Sequence, residues 1–386
     1  MSQRSYFLRD ITPARPKHPP AFNVSKNERL VLDLIRRHGA ISRADIAREA
    51  ELTPHSISRI VEHLDQRGLL RFGERVVNGP GKPSTLVHLA AEAAYSLGFY
   101  IMTDAISAVL MDLTGGIVAT RHRRLRSFEK GAIFSLLSSL YKDLTGALAG
   151  KVCGIGVTVG GYFTGERNQI NPPEPLDALA MFDIDKEVAE RLQIPVWFEK
   201  SGNAAAVGES LNGVGREHPT FAYLFHDMGF GGALIINNEL FRGAFGNAGE
   251  FSGALAPELL STRPTLELLR LSVGKRGHHF DSIDEMLKDF DVSWPGVDDW
   301  ISTVRHPINR VISSVSAVFD PPIIVVGGGR MPRSLAERLI VHLEFYDGPK
   351  RRGRHQPRPV LVLSQVKGDA TVIGAASIPL KSTFFM

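Results

Sequence analysis

The sequence predicts a mixed α/β chain in two unequal parts. A small helix-turn-helix unit with a β-ribbon wing precedes a larger body with a mainly parallel sheet in two lobes. Three observations carry this. Residues 41–89 hold two short helical patterns joined by a tight turn, then two strand patterns around a Gly/Pro-rich tip. From about residue 91, strand and helix patterns alternate, with glycine runs directly after strands. The chain has 386 residues, too many for one ordinary domain.

Taken in order, residues 1–23 are rich in Pro and basic residues and lack periodicity, so a flexible arm is expected there. A winged helix-turn-helix domain is expected over 24–90. Its first helix spans 25–38: Ser25 and Glu28 make a capping-box pattern, Leu30, Val31, Leu34 and Ile35 form an apolar stripe, and Gly39 ends it. The second helix opens at Ser42, with Asp45 three residues on. Glu51 and Leu52 make the turn. Thr53 can cap the third helix, and Pro54 occupies its first position, where a missing N–H costs nothing. Ile57, Ile60, Val61 and Leu64 recur at helical spacing and face inward. The wing follows as strands over 69–77 and 85–89 around the tip 78–83.

In such a unit the start of the recognition helix meets base edges. Pro54, His55, Ser56 and Arg59 are the candidates, with Ser58 on phosphate. Arg71, Arg75 and Lys82 on the ribbon would meet backbone phosphates or the minor groove. Charge agrees with this placement. The chain carries a net +4, but residues 1–90 alone carry an excess of six positive charges. The polyanion contact is therefore expected at the N-terminus.

The body, 91–386, reads as two strands with a polar turn over 96–110, a further strand over 111–121 and a helix over 127–149. A buried strand over 151–159 runs into Gly160-Gly161. A helix at 183–192, a strand at 194–198 and a helix at 202–211 follow. Strands at 222–225 and 233–236 surround a glycine run. Residues 265–319 are mostly helical, and 323–326 is a strand before Gly327-Gly328-Gly329. A helix from about Pro332, a last strand at 360–363 and a last helix at 370–379 close the chain. Such folds bind ligands in the cleft at the strand ends. No apolar run approaches the length of a membrane span, and the single cysteine, Cys153, cannot form an internal disulfide or a multi-cysteine zinc site. With no signal-peptide core at the start, the cytoplasm is the expected compartment.

Five segments in order, 97–114, 154–161, 194–209, 229–250 and 323–329, resemble the ROK family of repressors, open reading frames and kinases. The resemblance covers about 95–380 and implies a two-lobed actin-like ATPase (ribonuclease H-like) fold that binds a sugar and dimerises. The winged helix-turn-helix in front matches the family's repressor half. The resemblance carries Gly160 and Gly161 over as backbone approaches to the sugar, Asn171 as a border of the pocket, and Glu250 as the hydroxyl-binding carboxylate; Glu199, Lys200 and Ser201 stand at the family's site positions.

The departures from the family pattern bear on activity. The kinases read Glu-Asn-Asp-Ala-Asn after the third strand, with the Asp as general base; here these are Glu199, Lys200, Ser201, Gly202 and Asn203. A serine hydroxyl cannot take that proton unaided. The first phosphate loop, Asp-Ile-Gly-Gly-Thr in kinases, is Tyr100, Ile101, Met102, Thr103 and Asp104, and the second begins with Asp227-Met228. The family's zinc site needs a His after the Gly-Glu pair and a run of cysteines; the His position is Gly253 and no cysteine lies in 254–275. The expectation is therefore a chain without metal, cofactor or kinase activity. Lys200 implies either an internal pair with Glu199 or Glu250, or a ligand with an acidic group.

The sequence thus predicts a DNA-binding transcriptional regulator of carbohydrate-related genes, most simply a repressor. Its partners would be operator DNA, a sugar or sugar-derivative effector and further copies of itself, as a homodimer or tetramer. Two other readings stay open at this point: a sugar kinase with a regulatory DNA-binding domain, and an effector-independent DNA-binding protein. The basic segment 348–359 reads as a solvated loop or a further phosphate contact.

Overall fold

The structure, a computed structural model, describes residues 13–15, 22–76 (the backbone alone for 75 and 76), 84–165, 168–346 and 352–386. The wing-tip expectation, including Lys82, lies outside the described residues, as does most of the expected arm.

The first domain forms as its caps dictate. Helix α1 (Lys26–His38) starts at a reciprocal capping box: Glu28 N donates to Ser25 Oγ at 3.3 Å, and Ser25 N donates to Glu28 Oε2 at 2.7 Å. Strand β1 (Ile41–Ser42) leads into α2 (Arg43–Glu49), whose cap is Ser42, accepting from Asp45 N. Thr53 caps α3 (Pro54–Gln66) by accepting from Ser56 N. Strands β2 (Leu70–Val76) and β3 (Ser84–Leu89) complete a three-stranded antiparallel sheet in the order β1-β3-β2. Val31, Ile35, Ile46, Ile57, Val61, Leu64 and Val87 are fully buried between the three helices and this sheet. Ile60, expected with them, is only half-buried at the rim.

The first lobe contains β4 (Tyr95–Ile101), β5 (Ala105–Asp112), β6 (Ile117–Arg124), α4 (Lys130–Thr145) and β7 (Val152–Val159). A short hairpin of β8 (Tyr162–Phe163) and β9 (Ile170–Asn171), then α5 (Ile184–Leu192) and β10 (Val196–Lys200), complete it. The second lobe follows with α6 (Ser201–Asn212), β11 (Phe221–His226), β12 (Phe230–Ile236), β13 (Glu239–Phe241) and α7 (Leu266–Gly274). Then come α8 (Ile283–Lys288), α9 (Pro295–Phe319), β14 (Ile323–Gly327), α10 (Arg333–Ile340) and β15 (Val360–Leu363). Helix α11 (Ala370–Phe384) returns between the lobes.

The sheets run β10-β7-β4-β5-β6 and β13-β12-β11-β14-β15. Both are half parallel and half antiparallel, which corrects the expectation of a mainly parallel body. The links 102–104 and 227–229 are three residues long and reach only an antiparallel neighbour, since a parallel one needs a crossover. The strand expected over 111–121 is likewise divided. The Asp112 carboxylate accepts from Thr114 N and Gly116 N, turning the chain before β6 begins. Within the expected arm, Ala14 exchanges two 2.9 Å backbone hydrogen bonds with Val196 on β10, so at this point the segment is bound to the sheet.

Helix α11 lies against both α6 and the first-lobe sheet at backbone distance. A Cβ on Gly156 of β7 would stand 1.9 Å from the Ala375 carbonyl oxygen, and one on Gly374 would stand 1.7 Å from that of Ala204. The far end of α11 continues into the first domain. Leu380, Phe384 and Phe385 share one buried cluster with Val31, Leu32 and Ile35 of α1 and with Tyr100 and Met111 of the first lobe. Arg29 of α1 donates to the Lys381 and Phe385 carbonyls. Among the described residues no helix is long and apolar enough to cross a membrane.

Because backbone atoms cannot give way, Gly156→Ala and Gly374→Ala are each expected to cost at least about 2 kcal/mol by denaturant unfolding. Gly131→Ala in α4, where a Cβ meets nothing within 4 Å, should leave stability unchanged or slightly raised.

Candidate effector cleft and nucleic-acid interface

On the first domain, the cap at Thr53 aims the start of α3 away from the core. Pro54, His55 and Arg59 are exposed; Ser56 and Ser58 are half-buried. The Ser56 hydroxyl is occupied by Thr53 Oγ1 at 2.9 Å, so it supports the cap before it can face a base. Arg59 has no ion-pair or hydrogen-bond partner among the described residues, which makes it a free cation on this face. Arg71 is different: it pairs with Glu92, outside the wing. The Arg75 side chain and Lys82 lie outside the described residues. Arg43, which the sequence did not single out, lies over the exposed Phe72 ring of the wing at 5.2 Å.

Between the lobes lies a cleft of about 310 Å³. The parallel register of β10 on β7 sets Lys200 beside Val159, so that Gly160-Gly161 and the start of α6 meet at one edge. Gly160, Gly161, Asn171, Lys200, Ser201 and Glu250 line the cleft together. Asn171 is held by its side-chain amide donating to the Tyr162 hydroxyl at 2.6 Å. Glu250 is brought in by Gly249 at φ +91°, where a Cβ would stand 2.3 Å from the Gly232 carbonyl oxygen. Lys200 Nζ pairs with Glu250 Oε1 at 2.5 Å across the cleft, the internal pair being the arrangement observed.

Glu199 does not reach the cleft. Strand alternation turns it opposite to Lys200. Its fully buried carboxylate accepts from Lys200 N, Asn203 Nδ2 and Arg242 Nε at 3.0, 2.7 and 3.0 Å. It fixes the start of α6 from behind.

The other end of the cleft is filled by charge. Asp227 is fully buried; it accepts from the Tyr100 hydroxyl at 3.0 Å and from Arg330 Nη2 at 2.9 Å. Arg330 Nη1 also donates to Asp104 Oδ1 at 3.0 Å, and Asp104 Oδ2 accepts from Asp284 N. Tyr100 and Asp104 belong to the first lobe, Asp227, Arg330 and Asp284 to the second, so the set joins the lobes. His122 Nε2, at 2.8 Å from Asp284 Oδ1, adds to the same seam. Arg330 directly follows a glycine triplet, and that proximity was the only sequence signal for it. Beside this set, burial lifts the Asp369 carboxyl to about 7, and the Asp227 charge adds to the effect. Asp369 Oδ1 caps α11, while Oδ2 is buried without a partner, as suits a protonated carboxyl.

The ROK family model matches residues 97–258, and a MarR family model matches residues 22–78. The body of the chain thus resembles the ROK family over that span. The xylose repressor of Bacillus spizizenii is 30% identical over 229 residues, covering 58% of this chain and 59% of the repressor. An uncharacterized protein, y4fQ of Sinorhizobium fredii, is 27% identical over 370 residues, covering 94% of this chain and 92% of that one. Among solved structures, a ROK family transcriptional regulator described as a homolog of the E. coli MLC protein aligns over 93% of this chain and 95% of its own, with TM-score 0.67 and 19% identity. That likeness is one of fold: a winged helix in front of a two-lobed sugar-kinase frame.

The residues present do not fit two groups of the ROK frame. A phosphate entering its loops meets the carboxylates of Asp104 and Asp227, and the arginine that could receive it is already shared between them. Where the ROK resemblance implies a zinc-binding histidine stands Gly253, which has no side-chain ligand to offer.

Asp369 gives this end of the molecule a pH signature. Its carboxyl is neutral in the fold and ionised in the unfolded chain between about pH 4 and 7, so its contribution to stability declines as pH rises through that window, by up to ~4 kcal/mol. Asp369→Asn keeps the capping oxygen. In paired denaturation series, Asp369→Asn is expected to match the parent near pH 4 and exceed it at pH 8.

Proposed function

We propose that this chain is a sugar-responsive repressor in which α3 reads an operator and the interlobe cleft takes a carbohydrate effector. One observation carries the reading. The cleft keeps its sugar end open, with two glycines, Ser201 and Glu250 on its walls, while its phosphate end is closed by the Asp104–Arg330–Asp227 set. A frame that can receive a sugar but not a nucleotide serves binding rather than phosphoryl transfer. Ser201 in place of the family's base supports the same view. The xylose repressors among the relatives support the assignment to carbohydrate-related genes.

The geometry offers a route between the two surfaces. Helix α6 begins at Ser201 in the cleft, and near its far end the Leu211 carbonyl accepts from Arg36 Nη1 of α1 at 3.0 Å. Twelve residues make a rod of about 18 Å. Lobe closure on an effector moves the rod's start, and α1 is attached to its end. In a two-fold dimer the recognition helices must stand about 34–36 Å apart to enter successive major grooves, so a small rotation weakens operator binding. We assign the DNA contacts to Pro54, His55, Ser58 and Arg59 with the wing residues Arg75 and Lys82, and the site of action to the cytoplasm.

An operator selected from random duplexes provides the test. Arg59→Ala should weaken operator binding by ~1–3 kcal/mol at matched salt and relax the base preference, with little change on random DNA. Unchanged operator affinity would reject α3 as the reading face. Incubation of the wild-type chain with ATP and a monosaccharide panel should yield no sugar-dependent ADP; stoichiometric turnover would reject the repressor reading in favour of a kinase.

A further inference from the structure

The sugar end of the cleft is built around an open helix start. No side chain caps α6: among the described residues none accepts from the amides of Ser201, Gly202 or Asn203. Such an end carries roughly half a positive charge and accepts anions. A helix end alone selects nothing. Here a largely buried serine, its unpartnered hydroxyl open to the cleft, accompanies it. Ser201 is 6% exposed and lines the cleft, and its hydroxyl has no hydrogen-bond partner among the described residues. Ser201 Oγ stands 4.0 Å from the position of a Cβ on Gly160, on the open side of the cleft.

Two cations frame this point. Lys200 forms the wall on the first lobe. Arg263 faces it from the second lobe; its Nε donates to the Leu260 carbonyl at 2.8 Å, and its two terminal nitrogens meet no acceptor among the described residues. The acids nearby are not equal competitors. Glu199, behind the helix start, is consumed by Lys200 N, Asn203 and Arg242. Asp227 is consumed by Arg330, Tyr100 and Met228 N. Glu250 gives Oε1 to Lys200 and keeps Oε2 toward the cleft, 4.0 Å from the position of a Cβ on Gly231. Compared with the family's Asn-Asp, Lys200-Ser201 removes one negative charge and adds one positive charge at the helix start. For a neutral sugar this exchange discards a hydroxyl acceptor. For an acidic one it removes a repulsion, and the new cation offsets the charge of Glu250 beside the anion.

We propose that the effector is a monosaccharide-sized polyol bearing an acidic group. Its anion sits on the α6 N-terminus between Lys200 and Arg263, and its hydroxyls donate to Glu250 Oε2. This rests on the cleft being the effector site. Carboxylate and phosphate share the required chemistry, and the test separates them.

The full-length chain is titrated with D-glucose, D-xylose, D-gluconate, D-glucuronate and glucose 6-phosphate, reading both heat of binding and release of the selected operator. At least one acid should bind ten-fold or more tightly than its neutral parent and release the operator. A higher affinity for the two carboxylates or for the phosphate identifies the acidic group. Lys200→Met and, independently, the exposed Arg263→Ala should each bring the acid-to-neutral ratio toward one. Equal binding of acids and neutral sugars, or binding of neutral sugars alone, overturns the inference; operator release by a neutral sugar then leaves the repressor reading standing. Release by no member of the panel overturns both. A ratio unchanged in Arg263→Ala and in Lys200→Met also overturns the inference.

Discussion

The fold depends on one constraint: α11 must touch its neighbours backbone to backbone. Its backbone lies so near Gly98 and Gly156, and its own Gly374 so near Ala204, that no larger residue fits at these three glycines. Dispersion forces are short-ranged, so this closeness maximises contact along the whole helix and leaves it one position in which to sit. Everything else is attached to that position. The first-lobe sheet lies on one side and α6 on another, while the first domain is secured to the C-terminal turn through Arg29 and Phe385. A helix seated this tightly passes displacement on rather than absorbing it.

The charged seam is the second organising feature, and it has a different character. Asp104, Arg330 and Asp227 are partly or fully removed from water, where an unpaired charge is expensive and a satisfied one is roughly neutral in cost. The seam therefore adds little net stability, but it defines how the lobes meet. In the family's kinase pattern, that place belongs to loops that hold phosphate. Here the anions are part of the protein, and the cation that balances them comes from the opposite lobe.

Much of the first domain was legible because its signals are local. Ser25, Ser42 and Thr53 are caps within three residues of the groups they satisfy, and Ile57, Val61 and Leu64 repeat at the helical period. In the body, glycine runs marked the loops that border the cleft. Sheet direction was not legible, because it depends on whether three-residue links close hairpins. Arg330 was nearly hidden, since its partners Asp104 and Asp227 are far away in sequence and only the glycine triplet before it marks the place; Arg263 has no such mark and reads as an ordinary surface arginine. Glu199 was assigned to the cleft from its position in the family's motif, yet strand alternation sends it and Lys200 to opposite faces.

The short pairing of Ala14 with Val196 has a mechanical consequence. On its C-terminal side the DNA-binding domain passes through residues 90–94 directly into β4. On its N-terminal side the chain is hydrogen-bonded to β10, the edge strand of the same sheet. The described chain on either side of the domain thus meets the same sheet. A domain on a single linker would reorient freely whatever the lobes did. This one is joined to the first lobe by a five-residue link and packed on α11, and the strand that Ala14 pairs with is the one that ends in Lys200.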